Sequence, residues 1–592
     1  MKKDMMNFKN IMARGACCGV VAALALAACS DFSDYNEAPV DSTPSGNQSL
    51  WENILQNGQL TNFAELIKRT GFDAELSSPR SFTVWAPADG SFNMADYQGL
   101  SNEDLLFKFV KSHVAEYNHA ASGNVDERIH ALNEKSFSFS GNGSYAYDGV
   151  GITQSNLPSN NGLMHILNGV AQFYPNLYEY ITTASGIDSL QAHFLRYEQT
   201  RLDEQASVIG PMVDGVQTYI DSVMVTTNSL TNQLNARLAN EDSSYTFILP
   251  TDEAFMKMYN RVAPLYNFIT TTKVQDVANY TSATDNSKTK TVTVDAEYMR
   301  DSLTRRAIMS NLVFSNTDKY NKWVVDRGLY TDTLRSTTRT KLSNPREILE
   351  KYAVGEPIEM SNGYGRLVDS LAYHPWETFC PELRINPAGW MASLFPPAAQ
   401  GRLQTMPDTV AARMYGPDAI NYSTRYLWIS PGGDRTKPDF YVELPEVMST
   451  TYNFYVVFLP SAWREIANDP RPNLLNFQLS YTKEDGNTAN YNFSKACADS
   501  LLTGGPLPKE PASVSSNTAF TNNPEKADTV FIGQFTFPVN YSGLGSYYPS
   551  LHITSPISVF SSQQLETYTR DVRIAMILMR PVELDEYLAK NK

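Results

Sequence analysis

The first folded segment begins with apolar residues that recur every three or four positions. In residues 50–55 and 63–67 this spacing places the apolar side chains on one side of a helix. A β-prone run follows at residues 81–86, and Pro87 closes it because proline lacks the N–H that a central strand needs. The pattern therefore predicts two amphipathic helices followed by a buried strand.

The same order of patterns returns further along the chain. Residues 245–255 repeat the strand, proline, acid and phenylalanine order of residues 82–92. Residues 361–371 align with the end of the first segment. We therefore expect an internal duplication, with a first copy at residues 48–175 and a second at residues 176–377.

The second copy is longer than the first because it carries two additional stretches. A Thr-, Ser- and Lys-rich stretch at residues 270–293 predicts an exposed insertion. In the other stretch, residues 191–240, apolar residues recur at helical spacing, which predicts a helix. The residues that carry this pattern are Val208, Met212, Val216, Tyr219, Ile220 and Val223.

Residues 378–592 match neither copy and have a different pattern. Short β-branched and aromatic runs alternate here with turn-rich linkers, and a final apolar run predicts a mostly buried strand. Such a pattern is typical of an antiparallel β-sandwich. The runs lie at residues 440–444, 452–458, 476–481, 529–537 and 572–579.

The N-terminal segment is typical of a secretory leader. A basic start precedes an uncharged apolar run at residues 20–26, which is too short for a membrane span. The run ends in Leu-Ala-Ala-Cys, which resembles the bacterial lipobox and implies that Cys29 is acylated and becomes the first mature residue. We therefore expect a signal peptide at residues 1–28 and a lipidated flexible tether at residues 29–47.

Acidic residues follow the expected lipid attachment site at residues 30–34. This placement resembles the surface-export signal of Bacteroidetes lipoproteins. The resemblance implies an outer-membrane lipoprotein that faces the cell exterior, with a periplasmic orientation as the alternative. The expected membrane contact is the lipid anchor alone.

The charge of the chain excludes some partners. Its 63 acidic and 48 basic residues give a net charge of −15. This argues against nucleic acid as a partner, because phosphates require a basic surface. No cysteine or histidine spacing suggests a metal or another cofactor. After the leader and Cys29, only Cys380 and Cys497 remain, and they are either a disulfide or two free thiols.

Three motifs in the first segment appear in a characteristic order. The run 82–92 leads through Pro87 to Asp89, His113-Val114 follows, and His165 lies in a closing Asn-Gly-x-x-His pattern. Together they resemble the signatures of fasciclin (FAS1) domains. The resemblance implies that His113 and His165 are structural. The carboxylate of Asp89 is expected to cap the helix that follows it.

The second copy keeps part of this pattern and loses another part. Pro250 and Asp252 stand at the positions of the first proline and acid. Residues 311–313 take the place of the His-Val element, and Arg366 takes the place of the last histidine. We therefore expect a multidomain α+β chain, with two FAS1-like domains, the second degenerate, followed by the β-sandwich. The last segment resembles the jelly-roll modules of Bacteroidetes surface proteins.

No catalytic residues can be identified, since the chain lacks nucleophile-elbow, phosphate-loop and dinucleotide motifs. We therefore expect a non-enzymatic protein that binds or scaffolds partners. It is expected to serve a SusC/SusD-type transporter in glycan or peptide uptake; the alternative is cell adhesion through the fasciclin domains. Aromatic residues in the last segment are candidates for stacking on a sugar, or else core residues: Trp390, Trp428, Tyr541, Tyr547 and Tyr548.

Overall fold

The computed structural model describes residues 46–213, 215–280, 288–318, 321, 333–395, 400–405, 425–460 and 469–591. The predicted signal peptide, Cys29 and nearly all of the tether therefore lie outside the described residues. The chain divides into two compact units. The described part of unit 1 comprises residues 46–180, 238–244 and 359–364, and unit 2 comprises the rest.

Unit 1 contains a seven-stranded sheet. Its strands are β1 Phe82–Pro87, β2 Val114–Glu116, β3 Asn124–His130, β4 Ser136–Asn142, β5 Ser144–Tyr147, β6 Val150–Ser159 and β7 Gly162–Leu167. Their order is β2-β1-β7-β6-β5-β4-β3. Strands β1 and β7 pair in parallel, and β1 pairs antiparallel with β2. Every residue of β1 and β7 is buried, so these strands form the centre of the unit.

The predicted helices precede this sheet. The first begins with a capping box between Ser49 and Glu52, and the second ends at Gly71 in the left-handed conformation that favours glycine. Their apolar faces pack on the sheet around Phe63, Phe82 and Phe109, as the sequence predicted. The helices of this region are α1 Leu50–Gln56, α2 Thr61–Thr70, α3 Asp73–Leu76, α4 Ala95–Gln98, α5 Asn102–Leu105 and α6 Leu177–Thr183.

A smaller sheet has the same strand order as the centre of the first. The predicted strand before Pro250 is present and ends at that proline, as β1 ends at Pro87. The next helix carries Phe255 into the core. With β12 Tyr245–Pro250, β15 Val313–Ser315, β18 Ile358–Met360 and β19 Gly363–Val368, the order is β15-β12-β19-β18, which corresponds to β2-β1-β7-β6.

The helix predicted within residues 191–240 is wrong. Five of the residues that suggested it lie on two paired strands, namely Val208, Met212, Val216, Tyr219 and Ile220, and Val223 follows the second of these strands. The strands are β8 Glu198–Leu202, β9 Val208–Val213, β10 Val216–Asp221 and β11 Met224–Asn228. Strand β8 pairs with β11, and β9 pairs with β10. Apolar residues on both strands of a hairpin imitated helical spacing. The dipeptide Asp214-Gly215 between valines was the overlooked hairpin signal.

The insertion at residues 270–293 is not simply exposed. Its described residues include β13 Thr271–Gln275 and β14 Thr289–Thr293, which pair antiparallel. Val274, Val277 and Tyr280 are buried, and Val274 joins the core of the C-terminal sheets. The polar composition was misleading because few apolar side chains are enough to fix a hairpin on a neighbouring sheet.

The C-terminal part of unit 2 contains two antiparallel sheets that share one hydrophobic core. All five predicted β-runs are confirmed as strands. The first sheet contains β20 Leu383–Ile385, β22 Gln400–Thr405, β23 Arg425–Ser430, β25 Thr451–Phe458, β29 Asp528–Thr536 and β31 Val572–Pro581. The second contains β21 Met391–Phe395, β24 Asp439–Glu443, β26 Leu474–Thr482, β27 Thr488–Asn492, β28 Phe520–Thr521 and β30 Ser550–Thr554.

The remaining elements of unit 2 are helices and one short hairpin. The hairpin is β16 Leu334–Arg335 with β17 Lys341–Leu342. The helices are α7 Asp188–Leu195, α8 Ser229–Gln233, α9 Asp252–Val262, α10 Ala296–Met309, α11 Pro387–Trp390, α12 Lys495–Thr503, α13 Ser562–Thr567 and α14 Val582–Lys590. In the part of the chain that the structure covers, no helix is both long and apolar enough to span a bilayer.

Candidate binding site

Asp89 caps a helix, but not the one that follows it in sequence. Its carboxylate accepts the N–H groups of Thr61 and Asn62, each at 2.9 Å, at the start of α2. The prediction that Asp89 caps the helix that follows it is therefore wrong, because the helix that it caps is α2. The loop that follows β1 places Asp89 beside the start of α2, and Thr61 lies 28 residues before Asp89 in the chain.

Asp252 has the same arrangement in the second segment. Its carboxylate accepts the N–H groups of Asp188 at 3.2 Å and Ser189 at 2.6 Å, at the start of α7. Partial burial opposes ionisation of Asp252, but these hydrogen bonds outweigh it and lower its pKa below the ordinary value. Both motif acids thus bind helix N-termini and are committed to the fold.

Two asparagines, which the sequence analysis did not single out, link distant loops in the same way. Asn161 accepts the N–H of Leu50 at 2.8 Å and donates to the carbonyl of Leu76 at 2.9 Å. Asn362 accepts the N–H of Leu177 at 2.9 Å. Each asparagine precedes the glycine that opens a closing strand, so the repeated Asn-Gly pair was the available signal.

The motif histidines are buried and internally hydrogen-bonded. His113 is fully buried; its Nδ1 lies 2.7 Å from the carbonyl oxygen of Phe109, and its Nε2 accepts the N–H of Ala171 at 3.1 Å. His165 donates from Nε2 to the carbonyl of His119 at 2.9 Å. Burial lowers the pKa of each histidine to about 4. Both rings are therefore neutral near pH 7 and have no nitrogen left for a ligand.

The second segment replaces the first of these histidines with an apolar residue. In the strand registers Val114 and Val313 hold the same position, so Leu312 lies where His113 lies. Leu312 is fully buried. An apolar side chain fills this place without hydrogen bonds, which agrees with a structural role for the histidine.

Replacing His113 with leucine is expected to weaken the acid sensitivity of unit 1. The folded state keeps His113 neutral down to about pH 4, whereas an unfolded chain protonates it near pH ~6.5. Between these values the unfolded state binds more protons, so the free energy of unfolding falls as pH decreases. The loss is up to about 1.4 kcal/mol per pH unit for this histidine. Chemical denaturation at a series of pH values measures it.

The exposed Leu55 provides the control for this experiment. A Leu55→Ala variant, which changes no ionisable group, should keep the wild-type slope of stability against pH over the same range. An unchanged slope in the His113→Leu variant would contradict the assignment.

The predicted aromatic candidates come together only in part. Trp390 and Tyr548 are half-buried, and their rings meet edge to face with centroids 5.2 Å apart. Tyr547 is half-buried and packs on the core of the two sheets. This group lies partly at the surface, as a stacking site requires.

The other two candidates are less available for stacking. Tyr541 is fully buried, and its hydroxyl accepts the N–H of Thr482 at 2.6 Å. The ring of Trp428 is covered by the guanidinium of Arg573 at 4.8 Å, and its Nε1 donates to Asp571. Packing of the sheets, which the sequence did not reveal, places Tyr541 in the core and leaves Trp428 half-buried beneath an arginine.

A cavity of about 560 Å³ in unit 2 was not predicted. Its volume lies in the range of small-molecule sites, roughly 300–1,000 Å³. No local motif marks it, because its walls come from α10, two turns of the C-terminal sheets and the loops near residues 340 and 380. The polar residues at this cavity include Arg306, Asn311, Thr340, Thr378, Glu446 and Ser542.

The cavity offers both hydrogen-bonding groups and charged side chains. Arg306 is exposed, and the buried Asn311 donates from Nδ2 to Ala307 while its Oδ1 has no partner among the described residues. Burial raises the pKa of the lining Tyr266 to about 12 and that of the adjacent Cys380 thiol to about 12. Both groups therefore remain protonated at neutral pH. The arrangement suits the binding of a polar ligand.

The described residues show how the metal-binding side chain types and the two remaining cysteines are arranged. Among the residues described, no three or more His, Cys, Asp or Glu side chains are grouped closely enough to hold a metal ion. Cys380 is buried, Cys497 is half-buried, and the two thiols are not joined. The sequence allowed either a disulfide or two free thiols, and the structure has two free thiols.

The chain was compared with known proteins. The family model described as "Fasciclin domain" matches residues 58–172. No curated protein matches. A FAS1 domain pair from the insect cell adhesion molecule fasciclin I is 12% identical, covers 55% of this chain and 97% of its own, and has a TM-score of 0.19.

A second solved structure matches a smaller part of the chain. The CBM22-1 xylan-binding domain from Paenibacillus barcinonensis Xyn10C is 11% identical, covers 32% of this chain and 85% of its own, and has a TM-score of 0.18. Scores this low assign no function. The match of the family model, in contrast, covers α2 to α5 and the whole seven-stranded sheet of unit 1. Residues 58–172 of this chain are therefore a fasciclin domain.

Proposed function

We propose that this chain is a non-catalytic, lipid-anchored protein of the outer membrane that binds or scaffolds partners at the cell surface. The observation that carries the proposal is the fasciclin domain at residues 58–172, in which Asp89, His113 and His165 are committed to internal hydrogen bonds. Because the hydrogen-bonding groups of these side chains are already paired within the domain, we place the binding function on the protein surface and in the cavity of unit 2.

We assign the rest of the chain to a second fasciclin-like domain and a C-terminal β-sandwich of jelly-roll type. The shared strand order and the equivalent contacts of Asp252 and Asn362 support the first assignment. Two antiparallel sheets around one core support the second. The proposed boundaries are those predicted from the sequence, at residues 48–175, 176–377 and 378–592.

The lipid anchor gives the first test. A Cys29→Ala variant is expected to leave the membrane fraction, because the acyl chains supply the membrane affinity and each buried methylene contributes about 0.8 kcal/mol. Fractionation followed by immunoblotting measures the distribution. A Cys18→Ala variant is the control and should remain in the membrane. If the Cys29 variant stayed fully membrane-bound, the anchor would be excluded.

We assign ligand binding to the cavity, with a glycan or a peptide as the ligand. A charged hydrogen bond contributes about 1.5–3 kcal/mol, so an Arg306→Ala variant is expected to bind about 10- to 100-fold more weakly. Calorimetry with a panel of oligosaccharides and short peptides measures this. Arg300→Ala is the matched control, because Arg300 lies on the same helix, is exposed and does not line this cavity.

The same panel tests whether the protein is an enzyme. We expect binding without turnover, since the lining phenol and the adjacent thiol are protonated at neutral pH. Turnover that disappears in a Glu446→Gln variant would contradict a non-catalytic role. Equal affinity of the Arg306→Ala variant and the wild type would instead place the ligand elsewhere.

We propose a SusC/SusD-type transporter as the partner at the membrane, where the chain would present glycan or peptide for uptake. Co-purification from native membranes tests this, and recovery of the transporter pair is expected. The alternative is cell adhesion, which the fasciclin domain favours. Deletion of the gene would then reduce cell–cell or cell–matrix attachment while growth on the panel glycans stayed unchanged.

A further inference from the structure

Unit 2 exposes an apolar β-ribbon. We call residues 198–228, which form β8 to β11, the arm. Most of the large apolar side chains of β9 and β10 face solvent: Ile209 is 65% exposed, Met212 66%, Val216 66% and Ile220 75%. Monomeric proteins rarely expose contiguous apolar patches of more than a few hundred Å² unless the patch binds something. The arm is therefore a candidate interaction surface.

The free edges of the arm differ. Strands β9 and β10 form a sheet of two strands, with no third strand among the described residues. Pro211 interrupts β9, and proline cannot donate to a neighbouring strand. Strand β10 has no proline or glycine, and four of its six residues are β-branched or aromatic. An edge of this kind is a template for pairing with another strand.

The charges of the arm restrict its occupant. The arm carries five acidic residues and one basic residue, Arg201. An anionic lipid surface would repel this composition. Within β9 and β10 the only charged side chain is Asp221, at the end of β10. A partner that pairs with β10 therefore meets an almost uncharged strand.

We propose that the arm of one chain pairs with the arm of a second copy. Strand β10 would lie antiparallel to β10 of the second copy about a two-fold axis, which converts two ribbons into one four-stranded sheet. Edge-to-edge pairing brings Val216 and Ile220, which are 66% and 75% exposed in the single chain, beside the second copy's β10. The pairing therefore satisfies a free strand edge and covers part of the apolar surface of the arm.

The symmetric pairing also separates like charges. A register centred between Thr218 and Tyr219 places Asp221 of each chain opposite Val216 of the other. The two Asp221 carboxylates are then about 17 Å apart, since a strand advances about 3.4 Å per residue. This exceeds the Debye length of about 8 Å at physiological salt. Dissolved salt therefore screens the repulsion between the two carboxylates, whereas the apolar contacts do not depend on charge.

Sedimentation analysis of the purified protein over a range of concentrations tests the proposal. The wild type is expected to form a dimer, and a Val216→Lys/Ile220→Lys variant is expected to dissociate about 100-fold more readily, because two apolar side chains lose their burial. Both positions are exposed, so the substitutions leave the fold intact. The matched control, Gln199→Lys/Gln205→Lys, adds the same charge at exposed positions of the arm outside β9 and β10 and should dimerise normally.

Amide hydrogen exchange shows whether strand pairing is responsible. Protection of residues 216–221 should rise with protein concentration in the wild type and not in the double-lysine variant. A wild type that stays monomeric at every concentration would overturn the proposal, as would a dimer that the lysines do not weaken. Flotation of the wild type with phosphatidylcholine vesicles, lost in the double-lysine variant, would show a lipid occupant and also overturn it.

Discussion

Replacing Trp85 with alanine is expected to lower the free energy of unfolding of unit 1 by about 3–5 kcal/mol. The indole is fully buried and stacks on Tyr147, with centroids 4.3 Å apart and planes at 12°. It also stacks on His165 and meets Phe139 edge to face. Alanine would leave a cavity between aromatic rings that cannot close around it. Denaturant unfolding followed by circular dichroism measures the loss.

A Trp85→Phe variant separates packing from polarity. The Trp85 Nε1 has no hydrogen-bond partner in the described part of the chain, so phenylalanine removes a buried unsatisfied donor while it keeps much of the ring contact. We expect less than half of the alanine effect. Leu55, which is exposed, provides a control, and its alanine variant should change stability by no more than about 0.5 kcal/mol. Equal losses in the two Trp85 variants would contradict the stacking argument.

Replacing Lys135 with methionine is expected to destabilise unit 1 by about 3–5 kcal/mol, because it leaves two carboxylates without their cation. The Lys135 side chain is only 4% exposed, and its Nζ lies 2.6 Å from Glu179 and 2.9 Å from Glu241. Glu241 also accepts a hydrogen bond from Ser361. The ammonium group thus joins three parts of the chain. Thermal and denaturant unfolding measure the effect.

An exposed ion pair of the same type is the control for Lys135. Lys108 pairs with Asp104 at 2.8 Å, and both side chains are nearly half-exposed. A Lys108→Met variant should cost no more than about 1 kcal/mol. Adding Glu241→Gln to Lys135→Met should restore part of the lost stability. A double variant no more stable than the single one would show that the loss came from packing alone.

Local patterns were sufficient for the first two helices and strand β1 of unit 1 and for five of the C-terminal strands. The helices Leu50–Gln56 and Thr61–Thr70 follow from apolar spacing, and Pro87 and Pro250 end their strands as expected. The same patterns failed in residues 191–240. There the apolar residues of two short antiparallel strands have nearly the spacing of a helix, and only the Asp-Gly pair in the sequence between them distinguishes the two patterns.

Contacts between distant residues were not readable from local patterns. The sequence suggested that Asp89 caps a helix, but its partners Thr61 and Asn62 lie earlier in the chain. The sequence around Tyr541 resembles a binding loop, yet its hydroxyl lies in the core and accepts a hydrogen bond from the N–H of Thr482. The cavity around Arg306 depends on residues from position 266 to position 543.

The sequence by itself determined the fasciclin domain, the paired motif acids and the β-rich character of the last third of the chain. Each can be recognised within short stretches of the chain, where residue spacing and turn chemistry decide the local backbone, although the hydrogen-bond partners of the two acids lie far away in the chain. The tertiary structure alone decided which helix each acid caps, which aromatic rings are covered, where the cavity lies and that the arm is left exposed. These features depend on which distant surfaces meet, and burial is a property of the closed chain rather than of any segment.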